Sequence, residues 1–272
     1  HAKAGNLAAM VVTDALGRTV TVPDQPATII SLVPSLTQLL YTLGLDAAVK
    51  GITKFCVHPQ HWHQTKMRIG GTKNPSIEKI KGLRPQLIIA SKEENRWEDV
   101  QALAQTAPVY VTDITDVASA LKTIKNLAAI TGKREAGNAL CEDVRSAFAA
   151  LPPFSLLSAV YLIWQEPIMT VGGDTFIHSM MQHCGFQNLF SGENRYPQIT
   201  IEWLQTQAPQ VLLLSSEPYP FKQKHVAAYQ RLLPQTKVVL ADGEMFSWYG
   251  SRMLAAPDYF KSLRAGLDSI NL

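Results

Sequence analysis

The stretch "IEKIKGLRPQLIIAS", Ile77 to Ser91, sets Ile77, Ile80 and Leu83 at helical spacing. It then meets Pro85 and continues as an unbroken apolar run rich in β-branched residues. Apolar positions three to four apart predict a helix, the proline predicts its end, and a short unbroken apolar run predicts a strand covered on both faces. The same order recurs 124 residues later, where Ile201, Trp203 and Leu204 precede Pro209 and "QVLLLS", ending at Ser215. Each copy keeps a glutamate after its first isoleucine, Glu78 in one and Glu202 in the other.

The pattern extends upstream in both halves. "ATIISLV", Ala27 to Val33, predicts a strand, and Pro34 to Gly44 a helix stopped by Gly44. Leu157 to Trp164 predicts a strand. Asp174 to Gly185 predicts a helix with Asp174 as its N-cap and Gly185 as its stop. "VYVT" and "KVVLA" add a strand to each half. Between the halves, "VASALKTIKNLAAI" lines up Leu121, Ile124 and Leu127 or Ala128. "REAGNALCEDVRSAFAAL" lines up Ala136, Leu140, Val144 and Phe148, with Thr131-Gly132 between the two segments and Pro152-Pro153 at the end. As a helix the second segment spans roughly 25 Å at 1.5 Å per residue. Helix followed by buried strand, used repeatedly, predicts an α/β fold. It comprises an N-terminal lobe over 11–115, a helical connector with a backbone helix over 116–152, and a C-terminal lobe over 153–272. The expected ligand cleft lies between the lobes, and a helical spine argues against a wide hinge.

Composition narrows the function classes. The 272 residues are 46% hydrophobic and 17% charged, enough for a large core in one or two domains. The net charge is +3, and no Lys/Arg run exceeds two residues, so there is no nucleic-acid footprint. No apolar run approaches the roughly 18 to 20 residues of a membrane-spanning helix. "HAKAGNLAAM" lacks the apolar core of a signal peptide and reads as a mature terminus. Cys56, Cys141 and Cys184 are odd in number and scattered, so they define no disulfide framework.

Three stretches could carry chemistry. "CVHPQHWH" offers Cys56, His58, His61 and His63, but a structural zinc site pairs two ligand doublets and the second is missing. A polar loop is the plainer reading, and a metal-dependent enzyme or redox protein using His58, His61 and His63 is the alternative function. "VGGDT" could offer backbone N–H groups to an anion, but a tight turn with an N-cap is the plainer reading. Aromatic residues stand just beyond the expected strand ends, Phe55, Trp164, Tyr196, Phe246, Trp248 and Tyr249 among them, accompanied by Arg195 and Arg252. In α/β folds ligands bind outside the carboxyl ends of strands, and aromatics with a few arginines suit a large, partly planar ligand.

"SLVPSLTQLLYTLG", "GGTKNPSIEKIKGLRPQLIIAS", "YPQITIEWLQTQAPQVLLL" and "FSWYGSRMLAAPDYF" occur in this order over nearly the whole chain. In order and spacing they resemble the helical-backbone (class III) periplasmic substrate-binding proteins of ABC importers, and within that family the vitamin B12-binding and iron-chelate-binding branch. The resemblance implies a non-enzymatic, monomeric, periplasmic or extracytoplasmic receptor, and leaves room for a lipid anchor on a full-length precursor. No cofactor is implied. The cargo would be a metal chelate, a corrinoid first and a ferric siderophore or haem next. Phe55, Trp164, Tyr196, Phe246, Trp248 and Tyr249 would pack on that chelate, with Arg195 and Arg252 pairing to its polar groups. Glu78 and Glu202 would dock on the two subunits of the permease, one acid for each half of a two-fold partner. Two positions depart from the B12-binding branch, Ser91 where it carries an aromatic and Ser247 where it carries an acid.

Overall fold

The computed structural model describes residues 8–268. Residues 1–7, part of the stretch read above as a mature terminus, and residues 269–272 lie outside the description. The chain divides into two compact units. The first holds the chain up to Ile114, then Ala118–Asp143 and Tyr249–Ser251. The second holds Thr115–Val117, Val144–Trp248 and the chain from Arg252 onward. Tyr249–Ser251, expected within the C-terminal lobe, thus belong to the first unit.

The first unit opens with an antiparallel hairpin, β1 (Ala9–Thr13) and β2 (Thr19–Pro23). Asp14 closes its turn: the carboxylate accepts from the backbone N–H groups of Leu16 and Arg18, both at 3.0 Å, and from the Arg18 guanidinium at 2.6 Å. The main sheet comprises β3 (Ile29–Ser31), β4 (Val49–Ile52), β5 (Met67–Arg68), β6 (Leu87–Ser91) and β7 (Val109–Thr112). Its order is β5-β4-β3-β6-β7, with every pairing parallel. β6 and β7 are buried at every position, which is what their unbroken apolar runs require. The strand expected over residues 27–33 has only three residues, because Pro34 starts α1 (Pro34–Thr42) immediately after Val33 caps it. Gly44 follows that helix at φ +74°, the left-handed conformation in which glycine ends a helix. The remaining helices are α2 (Gln60–Thr65), α3 (Ile77–Gly82), α4 (Trp97–Ala104) and α5 (Val117–Ile130).

α5 and the next helix, α6 (Arg134–Ala149), match the two segments expected between the halves. Gly137 of α6 lies directly against Ala128 of α5, where a side chain would overlap the alanine methyl. The boundary between the units falls within α6, after Asp143.

The second unit is built on β8 (Leu157–Leu162), β9 (Trp164–Gln165), β10 (Ile168–Met169), β11 (Phe186–Asn188), β12 (Val211–Ser215) and β13 (Lys237–Ala241). Its parallel sheet has the order β11-β8-β12-β13, and β9 and β10 form a small antiparallel pair. The strand expected to run through Trp164 therefore breaks at Ile163. The helices are α7 (Phe176–His183), α8 (Ile201–Gln207), α9 (Gln223–Leu232), α10 (Gly243–Ser247) and α11 (Ala256–Asp268). Val160, Leu162, Leu204, Leu212, Leu214 and Val238 bring β8, β12, β13 and α8 into one core. Asp174 does not cap α7 as expected. Thr175 does, accepting from the His178 N–H at 3.2 Å, while Asp174 accepts from the Arg195 N–H at 2.6 Å.

The repeat is a repeat of tasks. Arg84 and Ala208, at equivalent positions before Pro85 and Pro209, both take left-handed backbone, at φ 48° and 42°. Gln86 accepts from the Ala27 N–H at 2.6 Å, and Gln210 accepts from the Ser158 N–H at 2.9 Å. Each glutamine thus fastens the approach to its own strand to the neighbouring strand's beginning, just before β3 in one copy and at the second residue of β8 in the other.

Candidate functional site

Parallel strands deliver their following loops to one edge of the sheet, so the carboxyl edge of each unit is where convergent side chains are sought. In the first unit Asn95 laces that edge together. Its carbonyl oxygen accepts from the Ser91 N–H at 2.8 Å, and its amide donates to Leu32 O at 3.3 Å and Thr72 O at 3.0 Å. The Tyr249 hydroxyl sits 3.3 Å from Ser91 Oγ and 3.2 Å from Glu94 Oε1. Burial pushes its pKa far above the ordinary phenol value. Tyr249 is only 3% exposed and so offers a ligand almost no face. Its expected packing on a ligand is corrected to a structural bolt, and the site of Ser91 is filled from within. Phe55 is 52% exposed after β4, with the Lys54 ammonium 5.0 Å from its ring centre.

In the second unit the equivalent serine organises a carboxylate. Ser215 Oγ accepts from the Tyr161 hydroxyl at 2.9 Å and donates to Glu217 O at 2.5 Å. The Glu217 side chain then accepts at one oxygen, Oε1, from Ser247 Oγ at 2.9 Å and from the Trp248 indole N–H at 2.8 Å. Burial pushes the Glu217 carboxyl above the usual carboxylate range, against the opposing effect of those two donors. A raised folded pKa adds stability below the unfolded value, and that contribution is lost as pH rises through the folded value. Glu217→Gln is therefore expected to gain stability relative to the native protein as pH rises from about 4 toward 8. Urea unfolding across that range checks it, and a flat difference would refute the burial argument.

Trp248 itself is 8% exposed, and the Arg252 guanidinium stands 5.6 Å from its ring centre while pairing with Glu244 at 3.1 Å. Phe246 is fully buried, packed against Tyr161 and Phe260 at ring distances of 5.2 and 5.0 Å. Its expected ligand role is corrected: it is a core residue, turned inward from the short helix α10. Trp164 is 40% exposed and meets Tyr219 edge-on at 5.6 Å. Arg195 lies 5.6 Å from the Tyr196 ring and 3.6 Å from the Asp174 carboxylate. Phe55 thus belongs to the first unit's edge, and Trp164 and Trp248 to the second's.

The histidine stretch does not gather. His61 packs edge-on against Tyr41 at 5.3 Å, and the His63 Nδ1 lies 3.2 Å from Cys56 O. Cys56 is buried between the Thr37 and Thr53 hydroxyls, at 3.1 and 3.2 Å, which turns its sulfur inward. Trp62 is buried and its indole N–H donates to Asp46. Among the described residues no three His, Cys, Asp or Glu side chains converge as a metal site.

Glu78 and Glu202 occupy the second position of α3 and α8, behind the hydroxyl N-caps Ser76 and Thr200. Both are exposed. The Glu202 backbone N–H and the Thr200 hydroxyl hold the Glu202 carboxyl below its usual range. Glu217 and Asn95 were not anticipated. A signal for Glu217 did exist, because the repeat continues two residues beyond its serines as Ser91-Lys92-Glu93 and Ser215-Ser216-Glu217. In both copies the glutamate N–H donates to the serine Oγ, at 3.2 and 3.3 Å.

A family model described as "Periplasmic binding protein" matches residues 29–239. A curated vitamin B12-binding protein of Vibrio campbellii is 28% identical over 193 residues, which cover 69% of this chain and 70% of that protein. Among solved structures, the periplasmic vitamin B12-binding protein BtuF of Vibrio cholerae aligns with TM-score 0.74 and 22% identity, over 90% of this chain and 99% of that one. A periplasmic heme-binding protein from Pseudomonas aeruginosa also aligns with TM-score 0.74, at 19% identity, over 89% of this chain and 92% of its own. At such identities the structural likeness speaks for the fold.

Proposed function

This chain belongs to the periplasmic binding protein family, and from that premise we propose that it is an extracytoplasmic receptor that captures a corrinoid and delivers it to an ABC importer. The observation that carries the corrinoid reading is the set of curated relatives from Vibrio and Yersinia named vitamin B12-binding proteins, which cover about 70% of the chain. The geometry supports it through flat, exposed side chains at the strand carboxyl edges, Phe55 in the first unit and Trp164 in the second. Haem and ferric siderophores are the competing cargoes. Glu78 and Glu202 are the groups that meet the permease. No step of bond chemistry is required of any of these residues.

Native mass spectrometry with cyanocobalamin, haemin and a ferric siderophore tests the reading. A one-to-one adduct with cyanocobalamin is expected, and the absence of any adduct across the set would overturn it. Aromatic contacts are worth about 0.5–1.5 kcal/mol beyond buried area. Trp164→Ala and Tyr196→Ala should each weaken cyanocobalamin binding by a few-fold to roughly tenfold with the fold intact, as titration calorimetry and circular dichroism would show. Native affinity in both variants would place the ligand elsewhere.

A further inference from the structure

Glu217 is a partly buried carboxylate fixed at its backbone and at one of its two oxygens. Its backbone is fixed twice by Ser215, through the 2.5 Å bond to its carbonyl and the 3.3 Å bond from its N–H. Its side chain is seated against Gly243, where an added Cβ would overlap Glu217 Cγ and lie 2.7 Å from Ser215 Oγ. Oε1 carries both donors, Ser247 Oγ and the Trp248 indole N–H. Both side-chain donors from the described residues go to Oε1 and none to Oε2, and Glu217 is only partly buried. Asp242 and Glu244 add negative charge from α10 and its cap, although Glu244 is paired with Arg252. The result is a fixed acceptor in an electronegative stretch of the second unit's carboxyl edge, next to the tryptophan it orients.

We propose that Glu217 is a specificity-determining residue that uses Oε1 to orient Trp248 and presents Oε2 to an N–H donor of the ligand, so that this edge selects amide-bearing chelates over carboxylate-bearing ones. The inference rests on the corrinoid reading above and goes beyond it by naming the group that discriminates. A corrinoid is rimmed by primary amides, each with two N–H donors. A propionate in the same place would set one carboxylate against another, and like charges brought together at a binding surface are penalised heavily. An acceptor already fixed in position also costs little ordering when the ligand arrives.

The test uses matched probes. Mild hydrolysis of cyanocobalamin gives isomeric monoacids in which one propionamide has become a propionate, with shape almost unchanged. Their affinities at pH 7.5 are compared with that of the parent for the native protein, Glu217→Gln and Glu217→Ala. The native protein should bind at least one monoacid about tenfold or more weakly than the parent. In Glu217→Gln the penalty should shrink to a few-fold, because glutamine keeps an acceptor for Trp248 and Ser247 but carries no charge. Glu217→Ala should lose the discrimination and also weaken the parent, since it removes the acceptor of the Trp248 indole N–H. Circular dichroism and thermal midpoints establish that each variant is folded. Should every monoacid bind the native protein within about twofold of the parent, or the penalty persist undiminished in Glu217→Gln, the inference fails while the corrinoid reading stands. Failure of the native protein to bind cyanocobalamin at all overturns both.

Discussion

Replacing Arg264 with alanine should cost about 3–5 kcal/mol of unfolding free energy, because carbonyls stripped of a buried donor cost about 1–3 kcal/mol each and the lost side chain leaves a cavity. Arg264 is 1% exposed on α11. One guanidinium nitrogen, Nη1, donates to Cys184 O at 3.0 Å and to Gly185 O at 3.1 Å, and Nη2 donates to Ser155 O at 2.8 Å. The first two carbonyls lie at the carboxyl end of α7, where the helix dipole favours a cation. Phe154 and Phe186 hold the guanidinium at ring distances of 5.0 and 5.4 Å. The side chain therefore joins α11, α7 and the entry to β8 in one fastening, and truncation strips these carbonyls of their charged donor while opening a cavity. Arg264→Lys should recover only part of the loss, because a single ammonium cannot reproduce the planar fork. Urea titration and calorimetry of the native protein and both variants measure the effect, with a thermal midpoint lowered by roughly 10 °C for the alanine. A loss below about 1 kcal/mol would mean that water replaces the guanidinium without penalty.

The same corner shows what could be read from the sequence and what could not. Gly185 was legible as a helix stop, and its φ of +75° bears that out. Its second task was not legible: a Cβ there would overlap Arg264 Nη1, and that arginine is 79 residues away. Local periodicity likewise located α5 and α6, because each presents a long apolar stripe. The two-residue strands β5, β9 and β10 left too short a pattern to register. Asp174 and Thr175 are both good N-caps in isolation. The choice between them was made by the Arg195 loop, which claims the aspartate.

Among the site residues, aromatic identity marked the strand edges but could not say which rings face outward. Phe55 and Trp164 do, Phe246 does not, and Tyr249 spends its hydroxyl on Ser91 and Glu94. The aromatic that the resemblance placed at position 91 and the acid it placed at position 247 are serines. Physically, the first serine is engaged by Tyr249 and the second is engaged by Glu217, which arrives from the loop after β12.

The double change Glu78→Ala/Glu202→Ala should abolish most transporter-dependent uptake while leaving chelate affinity in solution unchanged. Both acids sit one residue inside a helix start, behind a hydroxyl cap, in segments that repeat each other in sequence, left-handed turn and strand attachment. Glu202 is held ionised by its own N–H and the Thr200 hydroxyl, and the Glu78 side chain is 86% exposed and 3.5 Å from the Lys81 ammonium. Neither carboxylate supports the core, so their loss should leave stability within a few tenths of a kcal/mol. At an interface the arithmetic differs, because trimming one member of a desolvated ion pair can cost about 2–5 kcal/mol. Two such contacts made by one protein act bivalently, so each single change should weaken association and the double change should lose more than either. Uptake by vesicles carrying the reconstituted permease, measured beside cyanocobalamin affinity in solution, separates docking from capture. A charge-reversed permease that restores uptake with Glu78→Lys/Glu202→Lys would fix the pairing. Undiminished uptake by the double alanine variant would reduce the two glutamates to helix-end charges and leave the repeat without a two-fold partner.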